Sequence, residues 1–285
     1  MFQSLRLGRV MGIDLFVHPT FWLLPLIYIV SGLAGGDGAS RVGLDLAVLF
    51  AAFGCIALHE LGHAAAAKLY GIRTRDIVLY PIGGVARLEG IPERPWPEIV
   101  VALAGPLVNV VIAAGIFGML TADGVNPIAG LSAAPGIEAF WSRLLVTNAF
   151  LVLFNLIPAF PMDGGRVFRA ALSWFTDRVT ATEVASVVGG VFAGLLALYG
   201  LYDTNFMLVV LALAVFMMGR AEVAGVRVRE EEKRWARQQA DRRRYYDSDD
   251  GIPVARPAGP VSGWQWDPAR GGWTYWQDGY PVRRA

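Results

Sequence analysis

Apolar residues fall in long blocks along this chain, and short stretches rich in glycine, proline and charge part the blocks. Before the first block, between residues 4 and 17, apolar positions alternate with others at Leu5, Leu7, Val10, Ile13, Leu15 and Val17, punctuated by Gly8 and Gly12. That spacing predicts one or two short strands. His18-Pro19-Thr20 leads into a first block, Phe21 to Leu33, which is short and open to a kink at Pro25. Gly35 to Ser40 reads as a loop, and a second block runs from Leu44 to Leu69. Residues 72–90 hold two β-like runs on either side of Pro81-Ile82-Gly83-Gly84, which predicts a β-hairpin. Proline-rich residues from Glu93 to Pro97 precede a third block, Glu98 to Leu120, and a loop at 121–139 precedes a fourth, Phe140 to Ile157. Val167 to Phe175 has the spacing of a short amphipathic helix. A fifth block, Ala181 to Tyr202, carries the glycine and alanine that suit close helix packing in lipid, and a short sixth runs from Phe206 to Met218.

Blocks of this kind are the signature of membrane spans. The expected fold class is therefore a membrane α-helical protein of about six transmembrane helices, with small membrane-associated β-hairpin or sheet elements and a short cytoplasmic tail. The expected division is a membrane domain at 1–220, a charged helix and flexible linker at 221–262, and a small Trp-rich C-terminal module or tail at 263–285. Composition agrees: 55% of the 285 residues are hydrophobic and only 17% charged, against about 45–50% and about 25% in soluble domains. A net charge of +1 implies no nucleic-acid partner. Cys55 is the only cysteine, so no intrachain disulfide forms, and its apolar surroundings predict a packed thiol. The first block has no small-residue cleavage site of the usual kind and reads as a retained span.

Lysine and arginine positions give a topology. With the N-terminus in the cytoplasm, the inside segments carry Arg6, Arg9, Lys68, Arg73, Arg75, Arg87, Arg94, Arg166, Arg169, Arg178 and the basic tail, while the outside segments carry Arg41 and Arg143. The asymmetry predicts both termini in the cytoplasm of a multi-pass cell-membrane protein.

Chemistry enters within the second block, at His59-Glu60-Leu61-Gly62-His63. Residues four apart stack on one helix face, so His59 and His63 can hold one metal ion, and Glu60 beside them can serve as general base. The motif lies 15 residues beyond Leu44, roughly 22 Å into a hydrocarbon core about 30 Å thick. Two imidazoles and a carboxylate at that depth are expensive without a task. A catalytic zinc needs a third protein ligand and one open position. Asp163 is the best candidate, because the fourth block ends on the same side as His63. Pro158 and Pro161 break the helix there, and Gly164-Gly165 let the chain turn. Glu89 and Glu98, the other acids at similar depth, read as lying in more polar surroundings. His18 reads as a capping or interfacial histidine.

His59-Glu60-Leu61-Gly62-His63 together with Asn155-Leu156-Ile157-Pro158-Ala159-Phe160-Pro161-Met162-Asp163-Gly164-Gly165-Arg166 resembles the site-2 protease family of intramembrane metalloproteases, and most closely its compact bacterial and archaeal branch. Gly105-Pro106-Leu107-Val108-Asn109 is similar to that family's third-span motif. The resemblance covers about residues 1–220. It implies one zinc ion per chain, His59, His63 and Asp163 as ligands, Glu60 as acid/base, and regulated intramembrane proteolysis of single-span membrane proteins in the lipid bilayer. The chain departs from some members of the branch in lacking paired nucleotide-sensing modules and periplasmic peptide-binding inserts.

Other residues leave alternatives open. Asn109 and Asn155 read either as substrate or oxyanion contacts or as amides bonded to a neighbouring helix. The 72–88 hairpin reads as an edge that pairs with an unwound substrate near Ile77–Tyr80, or as a plain cytoplasmic hairpin. Residues 220–246 are rich in Arg, Glu and Gln, and 247–262 form a linker. Trp264, Trp266, Trp273 and Trp276, with Gly271-Gly272 between the aromatic runs, resemble small tryptophan-rich modules of bacterial membrane proteins, which would dock on the membrane domain or a partner. The alternative functions are a catalytically inactive membrane scaffold and a metal transporter. A transporter has no need of Glu60 beside His59, and no internal repeat is visible.

Overall fold

A computed structural model describes residues 4–81, 83–90, 94–247, 262–267, 272–277 and 280–284. The chain divides into two compact units, Met1–Val226 and Arg227–Ala285.

Helices dominate the first unit. A 3-10 turn at Pro19–Trp22 opens into α1 (Leu23–Ala34), followed by α2 (Ala39–Leu69), α3 (Pro95–Ala122), α4 (Ile137–Asn155), α5 (Asp163–Leu172), α6 (Arg178–Tyr202) and α7 (Phe206–Asp247). By length and composition, α2, α3, α4, α6 and the Phe206–Asp241 part of α7 are able to cross a membrane, and Pro19–Ala34 is a shorter apolar helix. The fold is thus mostly helical with small sheets, as expected, and the first of the six expected spans is the short one. Pro25 lies in the first turn of α1, where its missing N–H breaks no helical bond, and the helix runs through it. His18 caps the preceding 3-10 turn: Thr20 N–H donates to its Nδ1 at 3.3 Å, and its ring stacks on Tyr80. The sixth block does not stop at Gly219, because one glycine costs a helix only about 1 kcal/mol and the charged residues that follow continue α7.

Both β-like stretches fold into one four-stranded sheet, β1 (Leu5–Val10), β2 (Ile13–Val17), β3 (Thr74–Tyr80) and β4 (Gly83–Leu88), in that order. Met11 and Gly12 join β1 to β2 with positive φ at both positions, as a tight hairpin requires. The β2–β3 pairing is parallel and is reached through α1 and α2, so no local signal predicts it. The expected hairpin is β3–β4, but β3 is a central strand with both edges taken, and of the two strands it is β4 that has an edge unpaired among the described residues. The row Leu15, Ile77 and Ala86 packs on Leu61 of α2, which seats the sheet against the His59–His63 segment. Phe53 of α2 packs with Val17, Phe21 and Leu79 one stretch earlier along the helix.

A second framework is ionic. Two N–H groups of Arg169 (α5) donate to Oε1 of Glu98 (α3), at 2.9 and 2.5 Å, and a third donates to Glu222 (α7) at 2.6 Å. Arg178 lies 3.1 Å from the other oxygen of Glu98, and the Arg169 guanidinium rests over the Phe160 ring. Arg169 is fully buried and Glu98 nearly so, so Glu98 is not in polar surroundings as its sequence context suggests. Its charge is tolerated because two guanidiniums surround it.

In the second unit, β5 (Gly263–Asp267), β6 (Gly272–Gln277) and β7 (Tyr280–Arg284) form a three-stranded antiparallel sheet. Cross-strand pairs Trp264–Tyr275 and Trp266–Trp273 meet edge to face, and Trp276 and Thr274 are buried. Residues 248–261 of the expected linker fall outside those described.

Removing one partner from a buried ion pair strands the other charge, at a cost of about 3–5 kcal/mol. Glu98→Leu is expected to lower the thermal midpoint of the detergent-solubilised chain by several degrees, whereas Arg6→Leu, on an exposed pair with Asp14, is expected to leave it unchanged. Equal midpoints for the two variants would show that the Arg169 cluster does not hold the fold.

Candidate metal centre

Three side chains converge where α2, α3 and α5 meet. His59 and His63 stand one turn apart on α2 and meet edge to face, and Asp163 comes from the first turn of α5. His59 Nε2 and His63 Nε2 are 3.0 Å apart, and Oδ2 of Asp163 lies 3.2 Å from the first and 3.1 Å from the second. All three residues are buried, and among the described residues no other set of three or more such side chains could share an ion.

The donors fit zinc. Ligand atoms of a tetrahedral site with bonds of about 2.0–2.1 Å stand roughly 3.3 Å apart, close to the three separations here. Nor would three lone-pair donors face one another in an apolar interior unless a shared positive charge held them. Room for an ion comes from α3. A Cβ at Gly105 would lie 2.3 Å from His63 Nε2 and 2.7 Å from His59 Nε2. Gly62, between the histidines, lets α3 approach: its Cβ would fall 2.8 Å from the Ala104 carbonyl oxygen.

Asp163 reaches the histidines across a sharp break. α4 ends at Asn155, and Pro158 and Pro161 lie between it and α5, with a cis Phe160-Pro161 peptide. The glycines after Asp163 act differently from their sequence reading. Both are helical, without positive φ. Their task is to lack a side chain, because a Cβ at Gly164 would sit 2.4 Å from the Ile157 carbonyl oxygen and one at Gly165 2.6 Å from the Ala159 carbonyl carbon. The incoming loop therefore lies directly on the first turn of α5. That turn begins four residues before the predicted amphipathic segment, and its N-terminal dipole favours the Asp163 carboxylate.

Glu60 faces the sheet. Its Oε2 accepts the Ala86 N–H of β4 at 3.3 Å, and Gly84 leaves space for it, since a Cβ there would lie 2.6 Å from Glu60 Cγ. Asn109 is fully buried, with Oδ1 2.6 Å from His59 Nδ1 and Nδ2 donating to Asn148 Oδ1 at 2.8 Å. The structure therefore joins Asn109 to His59 rather than to open space. It does not bring Asn155 into the cluster: the Asn155 amide donates to the Leu151 carbonyl of its own helix at 2.9 Å. Cys55 is packed, 3.4 Å from the Asn148 amide. Sequence reasoning missed Asn148, which stands inside the apolar fourth block with no motif around it, and the space-making roles of Gly62 and Gly105.

Comparison with known proteins places this geometry. The family model of Peptidase family M50 matches residues 47–129 and 121–199. A zinc metalloprotease of Methanocaldococcus jannaschii is 35% identical over 229 residues, which is 80% of this chain and 63% of its own length. A relative from Synechocystis sp. is 34% identical over 208 residues, 68% of this chain and 51% of its own length. The chain thus spans between half and two thirds of these curated relatives. The solved structure of a site-2 protease from Methanocaldococcus jannaschii, 34% identical, superposes with a TM-score of 0.56 over 78% of this chain and 95% of its own. Since the matched residues exceed half the chain and take in His59, His63 and Asp163 together, the protein belongs to Peptidase family M50, the family of the site-2 proteases.

Proposed function

We propose that this protein is a zinc-dependent intramembrane endopeptidase that cuts transmembrane segments of single-span membrane proteins, as in regulated intramembrane proteolysis. The observation that carries the reading is the placement of Glu60: a carboxylate adjacent to a ligand histidine on α2, bonded to the outer strand of a sheet. A site that only held or passed a metal would not need that carboxylate.

His59, His63 and Asp163 would hold one zinc ion and leave a fourth position open. When bound, zinc supplies Lewis acidity to water and to the scissile carbonyl. Glu60 takes the proton of the attacking water and delivers it to the leaving amine. A helical substrate has its amides satisfied internally and must be unwound before attack. The free edge of β4 offers the unwound segment a strand to pair with, and the Ala86 N–H on that edge already lies beside Glu60. Asn155, at the end of α4 before the break that leads to Asp163, is the remaining amide for the substrate backbone.

Depth and orientation follow from the helices and charges. Arg143 of α4 pairs with Asp45 of α2, and His59 lies 14 residues further along α2, about 21 Å at the helical rise. A polar pair at one end and the donor cluster toward the other fit a site within the bilayer on the cytoplasmic side. The excess of lysine and arginine in the segments on that side supports cytoplasmic termini in the cell membrane.

Glu60→Gln is expected to keep zinc and to lower cleavage by about 10²–10⁴-fold. The measurement is a comparison of membrane-protein fragments from cells expressing the parent or the variant; identical fragments, with metal transport surviving in both, would replace the protease reading with a transporter. Gly105→Ala is expected to lose zinc to a chelator that leaves the parent loaded. A photoreactive residue at Val85, exposed on the outer strand, is expected to cross-link a single-span substrate more strongly than one at Leu5 on the opposite edge. Equal yields would remove β4 from substrate binding.

A further inference from the structure

A neutral imidazole carries one N–H, so a histidine that binds metal through Nε2 must carry its proton on Nδ1. Here both ring Nε2 atoms face the donor cluster, and each Nδ1 faces a protein oxygen. For His63 that oxygen is the main-chain carbonyl of Val101, at 2.7 Å. A carbonyl oxygen only accepts, so His63 Nδ1 must donate and its Nε2 is left with a lone pair. For His59 the partner is an amide, and an amide can turn either its oxygen or its NH2 toward the ring. Turned the wrong way, Asn109 would donate to Nδ1, move the proton to Nε2 and close that atom to metal.

We infer that Asn148 is a positioning residue that settles this choice through a hydrogen-bond chain of fixed polarity, anchored at the Leu144 carbonyl. Asn148 Nδ2 donates to the Leu144 oxygen at 2.9 Å, four residues back on α4. That bond, with a second from the same NH2 group to Cys55 Sγ at 3.4 Å, fixes the amide's orientation and leaves Asn148 Oδ1 as the acceptor of Asn109 Nδ2, at 2.8 Å. Asn109 must then present Oδ1 to His59, at 2.6 Å, and His59 Nδ1 must donate. Reversing the chain would set the Asn148 oxygen against the Leu144 oxygen in the interior, where Asn109 and Asn148 are both fully buried. Each histidine is therefore oriented by a backbone carbonyl: His63 directly from α3, and His59 through two amides that cross from α4 to α3 to α2. The chain also accounts for two amides in the apolar interior, where each would be costly if unpaired.

This inference rests on the metal-centre reading but not on proteolysis, and its test reads zinc and tautomer rather than activity. In the full chain in detergent, Asn148→Leu frees the Asn109 amide to flip, and zinc affinity by chelator competition is expected to fall about 10–100-fold. Asn109→Asp has no NH2 to present, so adding Asn148→Leu to the Asn109→Asp variant is expected to change zinc affinity less than about threefold, against the loss of about 10–100-fold in the parent background. A buried amide pair that merely glued α3 to α4 would lose as much in either background, so equal losses, or undiminished affinity in Asn148→Leu, overturn the inference. Nitrogen-15 spectra of labelled histidines in the zinc-free parent at alkaline pH decide the same point even if Asn148→Leu fails to fold. Nδ1–H on His59 and His63 is expected, and Nε2–H on His59 overturns the chain. A parent that binds no zinc would overturn the proposed function, while the spectra would still judge the polarity of the chain.

Discussion

Three lone-pair donors, none more than 3.2 Å from the others and shut away from water, make an arrangement that cannot stand without a shared positive charge. Most of the neighbouring structure answers to that constraint. α2 supplies two donors by helical periodicity. α3 supplies absence, since Gly105 leaves the volume an ion needs and Gly62 lets the two backbones close on each other. α5 supplies the third donor from its first turn, and the glycine pair behind Asp163 lets the incoming loop lie flat on that turn.

Two frameworks hold these pieces in register. On one side of α2, the four-stranded sheet rests on Leu61 and ends at Glu60, so the proposed general base is oriented by the strand whose free edge is the proposed substrate platform. Beyond Asp163, Arg169 of the same short helix joins α5 to Glu98 of α3 and Glu222 of α7. A ten-residue helix is too short to be stable alone. The buried guanidinium and the contact with the preceding loop give it a fixed position, and with it Asp163.

Among these pieces, those carried by local pattern were readable along the chain. The His59-Glu60-Leu61-Gly62-His63 run declares a metal-binding helix face because four residues make about one turn. The proline break before Asp163 declares where a third candidate donor enters, and apolar blocks declare helices. Readings that depended on neighbours distant in sequence fared differently. β3 looked like half of an isolated hairpin because its parallel partner β2 lies on the far side of α1 and α2. Glu98 looked solvated because its two arginine partners come from α5 and the start of α6. Gly164 and Gly165 looked like turn residues because a sequence does not show which backbone passes over them.

By itself, then, the sequence determined the chemistry of the site: which residues can bind a metal, which acid stands beside them, and the apolar helices that carry both. These are properties of side-chain type and of spacing within one helix turn. Only the tertiary structure decided that β4, not β3, offers the open edge, that Glu60 meets that edge, and that Asn148 stands behind Asn109 and His59. Each of these depends on segments between about 25 and 90 residues apart packing at hydrogen-bond distance, and no pattern of neighbouring residues encodes which distant groups will meet.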